Sequence, residues 1–445
     1  MTRKGRHSAR ELARRALRRV ESQSTFATAA IDAELDESPT DTRERALTTE
    51  LVYGTLRHRE RLDEALSARA PRGIKKLAPQ MRTILRVAAY QLMFLDRVPD
   101  HAVVDDAVRA ARKLGGNKMA GFANAVLRAL AREGAPPVPA AKDDLIAHVR
   151  VMYSLPEWLI ARLRAAVGEA ELVDAAAALA ESAPLVIRVN RLRATRDAVA
   201  ARLAADHPDA SIQVPADVPA AAHCPEALII RGLGDPERSP SFAEGLWTVQ
   251  DLGAQRVGYL LRPQPGQRVL DACAGLGGKS AHLAELADDR ATIVAVDVSR
   301  KKLALADATA ARLGLRGIET RAADLLEPDA LAGETFEAVL LDAPCSGLGV
   351  LRRHPEAKWR VAEELIAQMA MVQRRLLDTV AGRVQPGGAL VYSVCTFTED
   401  EGPAQIEAFL QRSRDFERDG EDLHTWPHRD GADAFYAARL VRAAC

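Results

Sequence analysis

Between residues 8 and 134 apolar positions recur every three or four residues, which is the period of amphipathic helices. Ser8 can cap a first helix in which Leu12, Ala13, Ala16, Leu17 and Val20 form one apolar stripe, with arginines on the other faces. The same period predicts helices over 41–68, 78–95, 101–114 and 117–132, with Gly115-Gly116 as a stop signal between the last two. Short connections between them predict a compact all-α bundle. The Pro-rich stretch GAPPVPAAK (134–142) breaks the pattern and reads as a linker. Beyond it SLPEWLIARLRAAVG is helical, with Pro156 where a first turn tolerates it. PLVIRVN (184–190) and EALIIRGL (226–233) read as strands around the helical RATRDAVAARLAAD, a small α+β segment. GDPERSPS (234–241) marks a second, weaker boundary.

From about residue 243 the rhythm changes to strand, turn, helix. QRVLDACA, TIVAVDVS, IETRAADL, FEAVLLDAP and GALVYSVCT are the strands, and helical segments 278–287, 300–313, 363–384 and 401–412 separate most of them. Apolar strands alternating with helices predict an α/β domain whose mostly parallel sheet is covered on both faces. FYAARLV (435–441) fits an edge hairpin partner.

Composition agrees with a soluble multidomain chain. At 445 residues it is too long for one ordinary core. Aromatics are only 4%, and the abundant Ala, Leu and Val favour helix-rich or α/β packing. No run of about 18 apolar residues is present, so no membrane span is expected. The charged N-terminus lacks the apolar core of a secretory signal. Cys224, Cys273, Cys345, Cys395 and Cys445 are an odd set without a CxxC pair. That argues against a disulfide framework and a zinc site, and for a reducing cytoplasm. Net charge is zero, yet residues 1–20 carry Arg3, Lys4, Arg6, Arg10, Arg14, Arg15, Arg18 and Arg19 against Glu11 alone. A solvated helix face accounts for this cluster as well as a phosphate-binding patch does.

VLDACAGLGGK (269–279) is a strand entering a glycine-rich turn and then a helix. Gly275, Gly277 and Gly278 let the backbone approach a ligand. The spacing is neither a P-loop, which would need Gly in place of Cys273, nor a clean GxGxxG, since Ser280 stands third. A tight turn alone would explain it. But Asp297, Asp324 and Asp342 follow the next three strands, so acids line one crevice at the carboxyl ends, where open α/β sheets bind ligands. Acids without a basic pocket suit a nucleoside with little phosphate, and S-adenosylmethionine fits. NAD remains open on physical grounds.

Cys345 follows the fourth strand and Cys395 ends the fifth. If those strands are neighbours, about 4.8 Å apart, both sulfurs face one crevice. Two cysteines, an aspartate and a methyl donor suit cytosine methylation. A thiolate adding to carbon 6 makes carbon 5 nucleophilic, and an acid near N3 offsets the charge developing there. The bland alternative is packing, common for strand-end cysteines, to which Cys224 and Cys273 are assigned.

LLDAPCSGLGVLRRHPEAKW and LVYSVCT resemble the RNA cytosine-5 methyltransferase family, with its Pro-Cys and Thr-Cys motifs. RRHPEAKW (352–359) is similar to the branch that acts on bacterial small-subunit ribosomal RNA, the Sun/Fmu type, and the leading helical region to the antitermination factor NusB. The resemblance implies a NusB-like RNA-binding bundle over 1–138. A small α+β RNA-binding subdomain over 143–235 and a Rossmann-like S-adenosylmethionine-dependent methyltransferase domain over 236–445 would follow. It implies that Cys273, Ala274, Gly275, Leu276, Gly277, Gly278 and Lys279 hold the methionine part of the donor. Asp297 would take the ribose, Asp324 would lie beside the adenine, and Asp342 beside the sulfonium and the target base. Cys395 would be the nucleophile, with Cys345 assisting product release and Gln255 shaping the pocket rim. Arg352, Arg353, His354, Lys358 and Arg360 would contact RNA phosphates at the mouth of the crevice, with Trp359 a core anchor or a base-stacking platform.

The sequence departs from the family where Gly275-Leu276 replaces Ala-Pro, and where Val394 and Thr396 flank Cys395 in place of Thr and Ser. The implied partner is 16S ribosomal RNA, unassembled or at an early assembly stage, met by a monomer with no metal and no membrane. Transfer RNA as the substrate, and a non-catalytic RNA-binding or assembly factor, are the rival readings.

Overall fold

The computed structural model describes residues 7–444 except 24, 39, 216, 217 and 328. Arg3, Lys4, Arg6 and Cys445 therefore lie outside the described residues. The chain forms two compact units, Met1–Ala180 with Leu351–Val361, and Glu181–Val350 with Ala362–Cys445.

The first unit is helical: α1 (Ala9–Gln23), α2 (Ala27–Asp36), α3 (Thr42–Arg57), α4 (Arg59–Ser67), α5 (Pro79–Phe94), α6 (Asp100–Glu133), α7 (Leu145–Tyr153), α8 (Glu157–Val167) and α9 (Leu172–Ala180). The expected stripe of α1 is the buried one, and the Ser8 hydroxyl accepts the Glu11 N–H at 3.4 Å. The helix expected over 41–68 breaks at His58 (φ −104°, ψ 17°), whose ring stacks on Phe94 with centroids 4.2 Å apart. Gly115-Gly116 separates two helical stretches as expected: Gly115 (φ −155°, ψ 33°) and Gly116 (φ 68°, ψ −160°) are both non-helical, and helix resumes directly beyond them.

The segment Leu351–Val361 completes this unit by capping two of its helices. Phe26 gives α2 no side-chain cap, and Glu356 Oε1 instead accepts the Ala27 N–H at 2.9 Å. At the other end of α3, Trp359 Nε1 donates to the Leu56 carbonyl at 2.8 Å and Lys358 Nζ to the Arg57 carbonyl at 2.7 Å. Trp359 packs against the apolar core of the bundle, so the core-anchor reading of this residue is the one observed.

The second unit holds two sheets. The smaller is antiparallel, in the order β2-β3-β1-β4, built from β1 (Leu185–Val189), β2 (Ser211–Gln213), β3 (Ala227–Arg231) and β4 (Trp247–Val249). Its last strand lies beyond the GDPERSPS stretch. The larger sheet contains β5 (Arg268–Asp271), β6 (Thr292–Asp297), β7 (Ile318–Ala322), β8 (Phe336–Asp342), β9 (Val384–Val394), β10 (Phe416–Arg418), β11 (Leu423–Thr425) and β12 (Phe435–Arg442). Its order is β10-β12-β9-β8-β5-β6-β7, parallel from β9 to β7, with β11 also paired to β12. The sheet is therefore mixed, and β12 is not an edge: it runs antiparallel to β9 and is flanked on its other side by β10 and β11. Helices 363–381 and 403–412 cover one face through Leu376, Leu377, Ile406 and Phe409. Helices 252–261, 278–286 and 300–313 cover the other through Val257, Leu283 and Leu313. Burial on both faces explains why these strands read as continuous apolar runs. No helix among the described residues is long and apolar enough to cross a membrane.

Candidate active site

The carboxyl ends of β6, β5, β8 and β9 lie in that order, so the turns that follow them form one rim. The turn after β5 is pinned to both neighbours. Ala272 N–H reaches the Leu340 carbonyl at 2.8 Å, and Ala274 N–H the Val296 carbonyl at 2.9 Å. Gly277 must be glycine: its φ is 78°, and a Cβ there would stand 2.6 Å from the Ala306 Cβ.

Asp297 Oδ2 accepts the Gly275 N–H at 3.0 Å and Oδ1 the Ser299 N–H at 2.8 Å. The carboxylate is thereby oriented, with lone pairs left for ribose hydroxyls. Leu276 and Val298, each one residue past this contact, are 58% and 68% exposed. Two large apolar side chains beside an acid-lined turn fit an adenine face, and Gly278 has open space where a Cβ would be. Asp324 is exposed at the end of β7 and accepts the Leu326 N–H at 2.9 Å. These residues fit the expected nucleoside donor.

Beneath this rim Arg188 of β1 and Glu285 of the 278–286 helix form a buried fork, with Nη2–Oε1 2.8 Å and Nε–Oε2 3.2 Å. Arg188 also donates to Gln250 and, at 3.3 Å, to the Gly278 carbonyl. Gln255 is fully buried and donates to the Gln250 carbonyl at 2.9 Å, so it supports the rim from inside and does not form it.

The second half of the rim carries the reactive groups. Asp342 Oδ1 accepts from Ser393 Oγ at 2.7 Å, across paired positions of β8 and β9. Its Oδ2 accepts from Lys279 Nζ at 2.7 Å. The ammonium of Lys279, a residue expected on the methionine part of the donor, faces Asp342. Burial opposes the charge on Lys279, but Asp342 and then Cys395 hold its pKa above the ordinary value.

Cys345 and Cys395 face each other with Sγ–Sγ 3.4 Å. The hydrogen bond to Cys395, followed by burial, pushes the Cys345 thiol well up. The Cys273 and Cys224 thiols are also pushed up, both by burial first, as suits packing residues. Val394 is fully buried in the core, where a threonine hydroxyl would need a partner.

A buried carboxylate that sequence reasoning missed holds the Cys345 turn. Glu401, fully buried, accepts the Ser346 N–H at 2.7 Å, Ser346 Oγ at 2.5 Å, Thr398 Oγ1 at 2.8 Å and Gln373 Nε2 at 3.1 Å. The Gly349 N–H adds a 3.0 Å bond to the Cys395 carbonyl. Nothing local in the sequence marks Glu401, because apart from Thr398 its donors, on Ser346 and Gln373, lie on two distant stretches of chain.

The basic residues expected to contact RNA fare differently. Lys358 is 2% exposed, with its ammonium donated to the Arg57 carbonyl and, at 3.4 Å, to that of Tyr153. Burial, then repulsion by Arg57, pulls its pKa down to about 7. Arg352 is 7% exposed. Neither is available to phosphate, which corrects that expectation for both. Arg353 and His354 are half-buried, and His354 packs edge-on to Phe26. Arg360 is exposed.

A mixed Rossmann-like sheet with this rim, in a chain that also carries a helical bundle and a small antiparallel sheet, fits the class of S-adenosylmethionine-dependent methyltransferases. Three family models match: "16S rRNA methyltransferase RsmB/F" over 258–441, the NusB family over 7–132, and the RsmF/B-like ferredoxin-like domain over 155–232. A Synechocystis protein called probable ribosomal RNA small subunit methyltransferase B is 35% identical, over 98% of this chain and 100% of its own. Ribosomal RNA small subunit methyltransferase B of Pseudomonas putida is 35% identical over 97% and 98%. Among solved structures, PH0851 superposes with TM-score 0.81 at 25% identity, over 97% of this chain and 98% of that one. The structure of NSun6 from Pyrococcus horikoshii with SFG shares the fold at TM-score 0.58 and 19% identity, over 65% of this chain and 99% of its own. The chain belongs to the RsmB/F family of 16S rRNA methyltransferases.

Proposed function

We propose that this protein methylates carbon 5 of a cytosine in 16S ribosomal RNA, with Cys395 as the attacking thiol. The observation that carries the reading is the 3.4 Å pair of Cys345 and Cys395 on the same rim as the 2.7 Å Asp342–Lys279 pair. The relatives named for small-subunit ribosomal RNA support the substrate. The target cytosine must be unpaired or flipped to reach the rim. The Cys395 thiolate adds to carbon 6, forming a C–S bond and shifting the C5–C6 electron pair toward carbon 5 and N3. Lys279, held by Asp342, supplies the proton that N3 takes up. S-adenosylmethionine would be held by the β5 turn, Asp297 and Asp324, and would supply the methyl group for carbon 5, with S-adenosylhomocysteine as the leaving product. Loss of the C5 proton to solvent and return of the N3 proton to Lys279 let the C–S bond break. Cys345, with its sulfur 3.4 Å from that of Cys395, assists release by hydrogen-bonding to the departing sulfur.

The test is transfer of labelled methyl groups to naked 16S RNA, with the product mapped as 5-methylcytosine. Cys395→Ala should show neither transfer nor a denaturant-resistant RNA adduct, whereas Cys345→Ala should accumulate that adduct. Exchanged phenotypes would reverse the roles. Label in transfer RNA alone would overturn the substrate, and no transfer to any RNA would overturn the enzyme reading.

A further inference from the structure

Lys279, the proton donor in the reaction proposed above, has a side chain only 15% exposed. A cation so far out of water must be met by opposite charge or by oriented polar groups. Asp342 Oδ2 meets it on one side at 2.7 Å, and Ser393 Oγ holds the other oxygen of that carboxylate, also at 2.7 Å. On a second side stands Phe435, its ring centroid 5.4 Å from Lys279 Nζ. A cation within about 6 Å over a ring is drawn to the negative π face, more strongly where water is excluded. Phe435 is itself 6% exposed. Burial opposes the Lys279 charge, and Asp342, then Cys395 and Asp271, favour it.

The ring is held in register with the attacking cysteine. Phe435 opens β12, whose next residue, Tyr436, pairs with Val394 of β9. Its N–H donates to Thr425 Oγ1 at 3.1 Å, and that hydroxyl donates to the Asp433 carbonyl at 2.7 Å. The ring fits because residue 253 is glycine: a Cβ there would stand 2.6 Å from Phe435 Cδ2. One residue earlier, the Ala434 N–H donates to the Gly349 carbonyl at 3.0 Å, and the Gly349 N–H to the Cys395 carbonyl at 3.0 Å. Two hydrogen bonds thus tie the start of β12 to the backbone of Cys395. An ammonium has three N–H donors. Asp342 takes one, and the ring closes a second direction.

We propose that Phe435 is a positioning residue: its ring and Asp342 clamp the Lys279 ammonium so that a remaining N–H is directed at N3 of the target cytosine. The role rests on the function proposed above. Phe435 acts through Lys279 and not on the base.

The experiment replaces Phe435 in the full-length protein by para-fluoro-, difluoro- and trifluorophenylalanine. Each added fluorine weakens the negative ring face while the shape stays nearly constant. Single-turnover transfer of labelled methyl groups to 16S RNA, with RNA and donor saturating, should slow stepwise, by about tenfold for the trifluoro ring. RNA affinity, read by anisotropy, and donor affinity, read by calorimetry, should stay at wild-type values. The high-pH limb of the rate profile, where Lys279 loses its proton, should move down by about one pH unit across the series, because the ring favours the charged form. Phe435→Leu, which keeps the apolar filling and loses the ring, should slow transfer at least as much as the trifluoro ring. Equal rates and an unmoved limb across the fluorine series would overturn the proposal, since a ring that only packs is indifferent to fluorine. Losses confined to RNA or donor affinity would overturn it as well. Lys279→Met separates this role from the reaction beneath it. Slow transfer by that variant together with a flat fluorine series removes Phe435 alone. Wild-type transfer by Lys279→Met removes Lys279 from the proton step, and the role of Phe435 with it.

Discussion

Glu401 shows how a single side chain sets the geometry of a reactive pair. Four donors converge on its two oxygens, and three of them, Ser346 N–H, Ser346 Oγ and Gln373 Nε2, belong to the Cys345 turn or the helix behind it. The fourth, Thr398, lies three residues past Cys395 on the other reactive stretch. One carboxylate therefore ties both cysteine turns together. Glu401→Gln keeps the size but replaces an acceptor oxygen with an amide that must face donors. Leaving a buried donor unpaired costs about 1–3 kcal/mol, which a melting curve should register. The reaction itself discriminates more sharply. A loosened Cys345 turn should slow release, so Glu401→Gln should accumulate part of the RNA adduct seen for Cys345→Ala, with donor affinity unchanged. Equal loss of donor binding and transfer, with no adduct, would show that the carboxylate holds the rim as a whole and not the Cys345 turn.

At the scale of elements, the Arg188–Glu285 fork joins β1 of the small sheet to the helix that leaves the glycine-rich turn. Both side chains are essentially out of water, at 0% and 1% exposure. Removing one partner of such a pair typically costs about 3–5 kcal/mol, because the other charge is left buried. Arg188→Met should lower stability by about that amount and release the Gly278 carbonyl, which should also weaken donor binding. Arg188→Met with Glu285→Met should regain most of the stability in urea unfolding and little of the donor affinity. Recovery of both together would mean that Arg188 does not position the turn.

The strands and the donor turn were legible in the sequence because their signals are local. Buried parallel strands are apolar throughout, and Asp297, Asp342 and the glycines follow them at fixed offsets. The break at His58 was not legible, since it follows the stacking of His58 on Phe94 from another helix. The Lys279–Asp342 and Arg188–Glu285 pairs were equally hidden, because each forms between residues far apart in the chain.

At the scale of the whole molecule, the chain path makes the helical unit depend on a segment that interrupts the methyltransferase unit. Leu351–Val361 follows the Cys345 turn in sequence yet folds with residues Met1–Ala180. Read as sequence, RRHPEAKW is a basic run suited to phosphate. Folded, Glu356 caps α2, Lys358 and Trp359 cap α3, and among the Lys and Arg residues of 351–361 only Arg360 is exposed. A fragment ending at Ala180 would therefore lack part of its own core and two helix caps. Losing the indole costs about 3–5 kcal/mol and each missing cap about 1 kcal/mol. At roughly 2–4 °C per kcal/mol for a unit of this size, the fragment should melt about 10–28 °C below the same fragment carrying 351–361 on a flexible linker. Trp359→Ala in the linked version should erase most of the gain. If the bare and linked fragments melt together, the helical unit is self-sufficient and 351–361 merely rests on it. If the linked version is more stable and Trp359→Ala removes that advantage, the eleven-residue stretch is part of the helical fold. Its basic character is then mostly structural.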